Sequence, residues 1–416
     1  MGFPAHSGIG RAAATAGWML MLCVGASCRT SDTHAVRRGA PDVVLVTIDT
    51  LRADRVGVDG GPPGVTPALD ALGRAGAVFL DATAHAPLTL PSHASILTGR
   101  YPVSHGVHDN SGFALVDSTP TLATALHGAG YHTAAFVSSY VLRRTTGLAR
   151  GFDVYDDRFE GVGRAHLTTT MLERKAAETA REAAAWMRAA AHPFFVWVHF
   201  YDPHAPYDAP PAFAARFPGR PYEAEVAAAD FGVSMLLDAI APDRRAATLV
   251  VVTGDHGESL GEHGESEHGL LLYDATLHVP LIVQGTGVAE GVRVRRQVRH
   301  VDLLPTVAEL AGVSVPASLD GVSLAPLLRA VRRNDPGSDP GSHPGSDPGS
   351  DPGSDPGLDP GSNERAAIGA RVGDNRHRRS TWPIRTDGRA AGCLDCRLRS
   401  RSNIRSRRRR SGRPRT

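Results

Sequence analysis

Short, continuous runs of β-branched and other apolar residues, separated by stretches of helical period, constrain this chain most. Val43–Ile48 (VVLVTI) does not alternate with polar residues, which suits a strand buried on both faces. Phe194–Phe200 and Thr248–Thr253 repeat the pattern, with Thr133–Val137 and the short Pro280–Val283 beside them. Helical segments lie around and between these runs. Thr66–Arg74 places Thr66 as N-cap and Pro67 at the first helical position, and Ser118–Gly130 opens on Thr119-Pro120. Thr168–Ala190 and Tyr222–Ala239 are the longer ones. The alternation predicts an α/β fold, a mostly parallel central sheet with helices on both faces. Ligands in such folds sit at the carboxyl ends of the strands.

Other parts of the chain do not fit that pattern. Residues 335–362 are seven tetrapeptides, DPGS with the variants HPGS and DPGL. Pro and Gly in every repeat stop helix and strand, so this segment reads as a linker. Residues 363–416 hold 17 Arg and no Lys against four acids, although the whole chain has a formal net charge of only +2. The body is therefore acidic and the tail basic. Four readings of the tail stand open: a nucleic-acid arm around Arg407–Arg410, a lone CxxC at Cys393 and Cys396, a disordered basic tail, or a reading frame that slipped within the repeats. Scarce aromatic residues and the acidic body argue against nucleic acid as a partner.

Residues 1–28 read as an export signal, with Arg11 before the apolar stretch Ala12–Ala26 and small residues before Cys28. The outcomes are a lipid anchor at Cys28, an ordinary cleaved signal or an uncleaved anchor, all placing the protein in the periplasm or cell envelope. Residues 29–41 form a polar tether, and residues 42–330 the catalytic domain. No cysteine lies between Cys28 and Cys393, so the body is not a disulfide scaffold.

Polar residues gather where the strands end. Asp49 follows the first run, Asp202 and His204 follow Phe194–Phe200, and Asp255-His256 follow Thr248–Thr253. A lone strand-end Asp usually serves a cap or turn, but carboxylates and imidazoles at three strand ends form a donor set for Ca, Mg, Mn or Zn. A divalent ion polarises a phosphoryl or sulfuryl oxygen and makes a coordinated hydroxyl nucleophilic. The candidate hydroxyl is Thr89, in PLTLPSHASILTGRYP. Pro91 opens a helix over Ser92–Leu97, with Thr89 just before its N-terminus, where backbone N–H groups favour an anion; the plainer alternative is that Thr89 only caps the helix. Asp202, His204, His263 and His268 are candidates for a second metal. Arg52 and Arg100 are the nearest cations in sequence, Arg100 as a brace for the loop after the helix.

Four ordered segments now identify a family. They are VVLVTIDTLRADRVG with TPALDALGRAGAVF, then TLPSHASILTGRYP, then HFYDPHAPY, and finally TGDHGESLGEHG running to YDATLHVPLIV, HVDLLPTVAELAGV and LDGVSLAPLL. Over residues 41–328 the chain resembles the sulfatase family of the alkaline-phosphatase superfamily. The resemblance implies that Asp49, Asp255 and His256 hold a divalent metal, with Thr89 at the nucleophile position beside it. His204 matches a histidine that contacts the transferred group, and His268 takes the slot of a substrate-binding lysine. His93 stands where the family has Arg and is carried as a catalytic candidate. Thr50 replaces a second Asp, and Val137-Ser138-Ser139-Tyr140 replaces a Gly-Lys-Trp-His-like segment. Sulfatases oxidise Cys or Ser at the nucleophile position to formylglycine, which Thr cannot become; Thr is usual in the superfamily's phosphodiesterases and phosphoryl transferases. The implied activity is a metal-dependent hydrolase of small-molecule, glycan or lipid sulfate or phosphate esters. A phosphoethanolamine- or phosphoglycerol-type transferase and a catalytically inactive surface-binding lipoprotein are the alternatives. The family's C-terminal subdomain is missing or degenerate after LDGVSLAPLL. Oligomeric state is not legible.

Overall fold

The computed structural model describes residues 2, 39–159, 173–316 and 318–329. The chain divides into two units, Met1–Asp339 and Pro340–Thr416, and every described residue lies in the first. The signal, most of the tether, the repeats, the tail and residues 168–172 of the expected long helix lie outside the described residues. Among the described residues no helix is long and apolar enough to cross a membrane.

The strands are β1 (Asp42–Ile48), β2 (Ala77–Thr83), β3 (His132–Val137), β4 (Val154–Asp156), β5 (Phe194–Phe200), β6 (Thr248–Gly254), β7 (His278–Gly285), β8 (Val292–Val294) and β9 (Val298–Arg299). They form one sheet in the order β4-β3-β5-β1-β6-β7-β2-β8, with β9 also on β2. All are parallel except β7, which runs against both β6 and β2. The fold is thus the expected α/β one. The differences are that Pro280–Val283 is the middle of a longer antiparallel strand and that β2, β4, β8 and β9 join the five expected strands.

The helices are α1 (Pro67–Arg74), α2 (Thr89–Thr98), the turn α3 (Pro102–His105), α4 (Leu122–Gly128), α5 (Ala176–Ala189), the turn α6 (Pro211–Ala214), α7 (Pro221–Ala239), the turn α8 (Asp274–Leu277), α9 (Leu303–Ala311) and the turn α10 (Ala325–Leu328). Alternate residues of each central strand feed opposite cores, as the pleat requires. Val43, Leu45, Phe195, Trp197 and Val251 pack with Leu90 and Leu97 of α2, Leu122 of α4 and Val307 of α9. Val44, Val46, Ile48, Val198 and Val252 pack with Leu69 of α1, Ala180 and Met187 of α5, and Val233 and Leu236 of α7.

Local signals fixed the helix starts less well than the helices themselves. The helix expected over Ser118–Gly130 begins at Leu122, because Thr121, not Thr119, closes a capping box with Thr124. Thr66 is the N-cap of α1, but its Oγ1 accepts the Gly57 N–H, so the N-terminus of α1 is served by Asp230 instead.

Candidate active site

Parallel register assembles the centre. Ile48 pairs with Gly254 and with Phe200, so Asp49 and Asp255 emerge side by side from adjacent strands. Gly254 permits this closeness, since a Cβ there would run into the Leu51 carbonyl oxygen. The same register sets Thr47 beside His199 on the face covered by α2.

Asp49, Asp255 and His256 are fully buried. The His256 Nε2 lies 3.4 Å from Asp49 Oδ1 and 3.6 Å from Asp255 Oδ2. Its Nδ1 lies 2.9 Å from the Gly257 carbonyl oxygen, so Nδ1 carries the proton and the Nε2 lone pair faces the carboxylates. Burial, and then the neighbouring charge of His268, push the His256 pKa down to about 3, which keeps the ring neutral. Asp255 Oδ1 accepts the backbone N–H of Thr50 at 3.2 Å and of His256 at 2.8 Å. Thr50 is held at φ 53, a strained setting for a β-branched residue, and this turn aims its N–H at Asp255. Asp49 Oδ1 and Asp255 Oδ2 are left without a hydrogen bond. Burial and the Asp49 charge push the Asp255 carboxyl upward; burial acts the same way on Asp49, but His199, His204 and His256 outweigh it and hold Asp49 low. Two facing carboxylates with orphaned oxygens and one aimed imidazole lone pair fit a hard-to-borderline divalent cation.

Thr89 is the first residue of α2, with Leu88 as N-cap, and not the residue before the helix. Its Oγ1 lies 3.5 Å from both Asp49 Oδ2 and His256 Nε2. The expected N–H cradle is smaller than the sequence suggested: Asn110 takes the Leu90 N–H, Pro91 has none, and Ser92 bonds to Leu88. Ser92 Oγ donates to the Asp255 carbonyl at 2.5 Å and seats the helix on the centre.

His93 Nδ1 lies 3.5 Å from Asp255 Oδ2, but the hydrogen bonds of the ring run elsewhere. Trp197 Nε1–H donates to Thr47 Oγ1, Thr47 donates to His93 Nε2, and His93 Nδ1–H donates to the Thr89 carbonyl at 2.7 Å. The ring is fully buried and acts through the backbone of Thr89. His268 does approach the centre, with its ring 4.4 Å from that of His256. Its Nδ1 lies 3.0 Å from buried Glu258. Burial alone would lower the His268 pKa, but the bond to Glu258 raises it. His204 stacks on Tyr201 at 4.4 Å and meets His268 edge-on at 4.9 Å.

Of the second-metal candidates, His204 and His268 come together and the other two do not. Asp202 accepts the Ala176 N–H of α5 and faces Lys175, while His263 is exposed and stacked on Tyr273. Arg52 is tied to Asp54, Glu262 and the Glu258 carbonyl, so it braces the 258–262 loop. Arg100 bonds to Ser318. Sequence reasoning missed His199, Glu258 and His300. A histidine inside the apolar run FFVWVHF was the available signal for the first; His300, whose Nε2–H donates to the Gly254 carbonyl and whose Nδ1 lies 3.1 Å from Ser92 Oγ, lies in the HVDLLPT segment.

The strand-end cluster sits at the carboxyl edge of a mostly parallel α/β sheet, with helices packed on both faces. The sulfatase family model matches residues 41–313, and the chain belongs to that family. It is 24% identical to an ulvan-active sulfatase of Formosa agariphila, over 70% of this chain and 65% of that protein. It is 26% identical to a choline-sulfatase of Rhizobium meliloti, over 72% of this chain and 73% of the other. The chain thus spans about two thirds to three quarters of these relatives' length. A phosphonate monoester hydrolase of Agrobacterium radiobacter shares the fold, with a TM-score of 0.57 and 22% identity over 69% of this chain and 77% of that one.

Proposed function

We propose that this chain hydrolyses sulfate or phosphate esters, with a divalent cation held by Asp49, Asp255 and His256 and with Thr89 as nucleophile. The observation that carries this is the meeting of Thr89 Oγ1 with Asp49 Oδ2 and His256 Nε2, each at 3.5 Å, in a buried pocket of orphaned carboxylate oxygens. A bound cation supplies positive charge to the ester oxygens and acidifies the facing hydroxyl. The remaining chemistry belongs to side chains. Thr89 gives up its hydroxyl proton toward Asp49 Oδ2 and attacks the sulfur or phosphorus, the ester bond to the leaving oxygen breaks, and His268, whose pKa the bond to Glu258 raises, gives that oxygen its proton. Water then releases the group from Thr89. His93 holds the Thr89 carbonyl, and His204 lines the His268 side.

The substrate class is a small-molecule, glycan or lipid ester. Relatives named as sulfatases speak for sulfate, while a threonine that cannot become formylglycine speaks for phosphate; the fold is common to both kinds of protein. Export to the cell envelope, with anchoring at Cys28, belongs to the same proposal and rests on Arg11 and the apolar stretch before Cys28.

The purified protein is to be assayed with an aryl sulfate, a phosphate monoester and a phosphodiester, with and without chelator. Turnover is expected for at least one ester and is expected to vanish on chelation. Full activity in Thr89→Ala, or turnover indifferent to chelation, refutes the mechanism. Release of product without an added acceptor separates hydrolysis from transfer.

A further inference from the structure

Leu270, Leu271 and Leu272 follow one another in the loop that brings His268 to the centre, and Leu270 is 85% and Leu272 68% exposed. A run of apolar residues held out to water is unfavourable unless something covers it. Specific contacts hold this run where it is. The Glu265 carboxylate accepts the Leu270 N–H at 2.9 Å and the Leu271 N–H at 3.2 Å. Thr276 Oγ1 donates to the Leu271 carbonyl at 2.9 Å, and the Ser259 N–H donates to the Glu267 carbonyl at 2.7 Å. Tyr273 stacks on His263, which is held at φ 58.

The run adjoins the nucleophile. Gly269, between His268 and Leu270, faces Leu88: a Cβ added to it would lie 3.5 Å from Leu88 Cδ2. Leu88 is half-buried and immediately precedes Thr89. Apolar surface therefore begins where the polar centre ends. The charges of the loop point the same way. Residues 257–273 hold Glu258, Glu262, Glu265 and Glu267 and no Lys or Arg. Arg52, which reaches this loop, is committed to Glu262 and the Glu258 carbonyl. A polyanionic glycan needs cations beyond the group being transferred, and here it would meet carboxylates.

We infer that Leu270 and Leu272, with Leu88, form an apolar rim that receives the hydrocarbon part of the ester's alcohol. The substrate is then a sulfate or phosphate ester of an apolar alcohol and not a polyanionic glycan. This rests on the ester-hydrolase reading above and narrows its substrate class. Contact with a part of the substrate that does not react supplies binding energy that positions the ester at Thr89.

The test compares ethanesulfonate with octanesulfonate, which carry the anionic head of an ester but no ester bond. Both are titrated into the full chain with Mn2+ present, below the micelle concentration of the longer one, and read by calorimetry. Octanesulfonate is expected to bind once per chain and at least about 30-fold more tightly than ethanesulfonate, short of full transfer of the added methylenes because the rim is open on one side. In the double variant Leu270→Ser/Leu272→Ser, which alters exposed side chains, the ratio is expected to fall below about fivefold. Phe231→Ser, exposed on α7, is expected to keep the wild-type ratio. Absent or unsaturable octanesulfonate binding, equal affinities in wild type, or a ratio that the double variant retains overturns the rim. Sedimentation with anionic-lipid vesicles that the double variant loses while its ratio is unchanged assigns the leucines to a membrane surface, which also overturns it. The two readings fail separately. Ester turnover without dependence on chain length removes the rim alone, whereas leucine-dependent octanesulfonate binding without turnover of any ester removes the hydrolase reading and keeps the rim.

Discussion

Two pairs of buried carboxylates in this molecule are balanced in opposite ways. Asp202 and Glu225, each nearly inaccessible, share the ammonium of Lys175, which lies 3.8 Å from one and 3.5 Å from the other. Lys175 is the only lysine in the chain. Asp49 and Asp255 are equally buried but face imidazoles, backbone N–H groups and the Thr89 hydroxyl, with no cationic side chain of Lys or Arg shown bonded to either. In both pairs one oxygen per residue lacks a hydrogen bond, so the difference is the resident cation. A buried carboxylate needs a counter-charge or a proton. The first pair has its cation built into the chain and serves structure: Asp202 holds the start of α5 and Glu225 accepts the Asp208 N–H, which pins the loop carrying His204 at both ends. In the proposed mechanism the second pair takes its balance from an ion from outside.

Four measurements test the contrast. Thr89→Ala is expected to lower kcat by about 10^4-fold or more, equivalent to about 5 kcal/mol of barrier, while the fold persists. A loss below tenfold would place the nucleophile elsewhere. Lys175→Met strips the first pair of its cation, and a loss of about 3 kcal/mol in denaturant unfolding is expected, at the lower end for buried pairs because the lysine is partly exposed. Adding Glu225→Gln to that variant is expected to recover part of the loss; no recovery breaks the idea that charge balance is what Lys175 provides. Chelation acts on the other pair: removing a cation present at about 100 times its Kd is expected to cost about 2.7 kcal/mol, read as a lower Tm. An unchanged Tm means that Asp49 and Asp255 need no ion.

The smallest effect concerns pH. Burial, and then the Asp202 charge, raise the Glu225 pKa to about 8. A carboxyl raised in the folded state stabilises most below its unfolded pKa near 4.5, and that contribution is lost as pH rises through about 8. Glu225→Gln, which copies the protonated form, is therefore expected to flatten the fall in Tm between about pH 4.5 and 8, by roughly 1 kcal/mol or 2–4 °C. An unaltered slope assigns the titration to another group.

The central strands, Asp49 and Asp255-His256 were legible in the sequence for one reason, whereas Thr89 was read from the helix start at Pro91 and the family resemblance. A strand covered on both faces must be continuously apolar, so the first polar residues after it mark the sheet's edge. The same rule hid His199, which sits inside such a run rather than after it, and it said nothing of β2 beside an antiparallel β7. Motif position suggested a catalytic His93; only the chain of bonds from Trp197 through Thr47 shows that its proton is committed to the Thr89 backbone.

The sequence by itself determined the layered α/β architecture, the family, and the residue types gathered at the strand ends, because local pattern and spacing encode burial. The tertiary structure alone decided which of those residues meet. Asp202 turned to α5 and Lys175, Arg52 to the 258–262 loop and His263 to Tyr273, whereas Asp49, Asp255 and His256 came together, with His199 beside Asp49. Strand register and the seating of α2 bring residues up to about two hundred positions apart into contact, and no local signal carries that information.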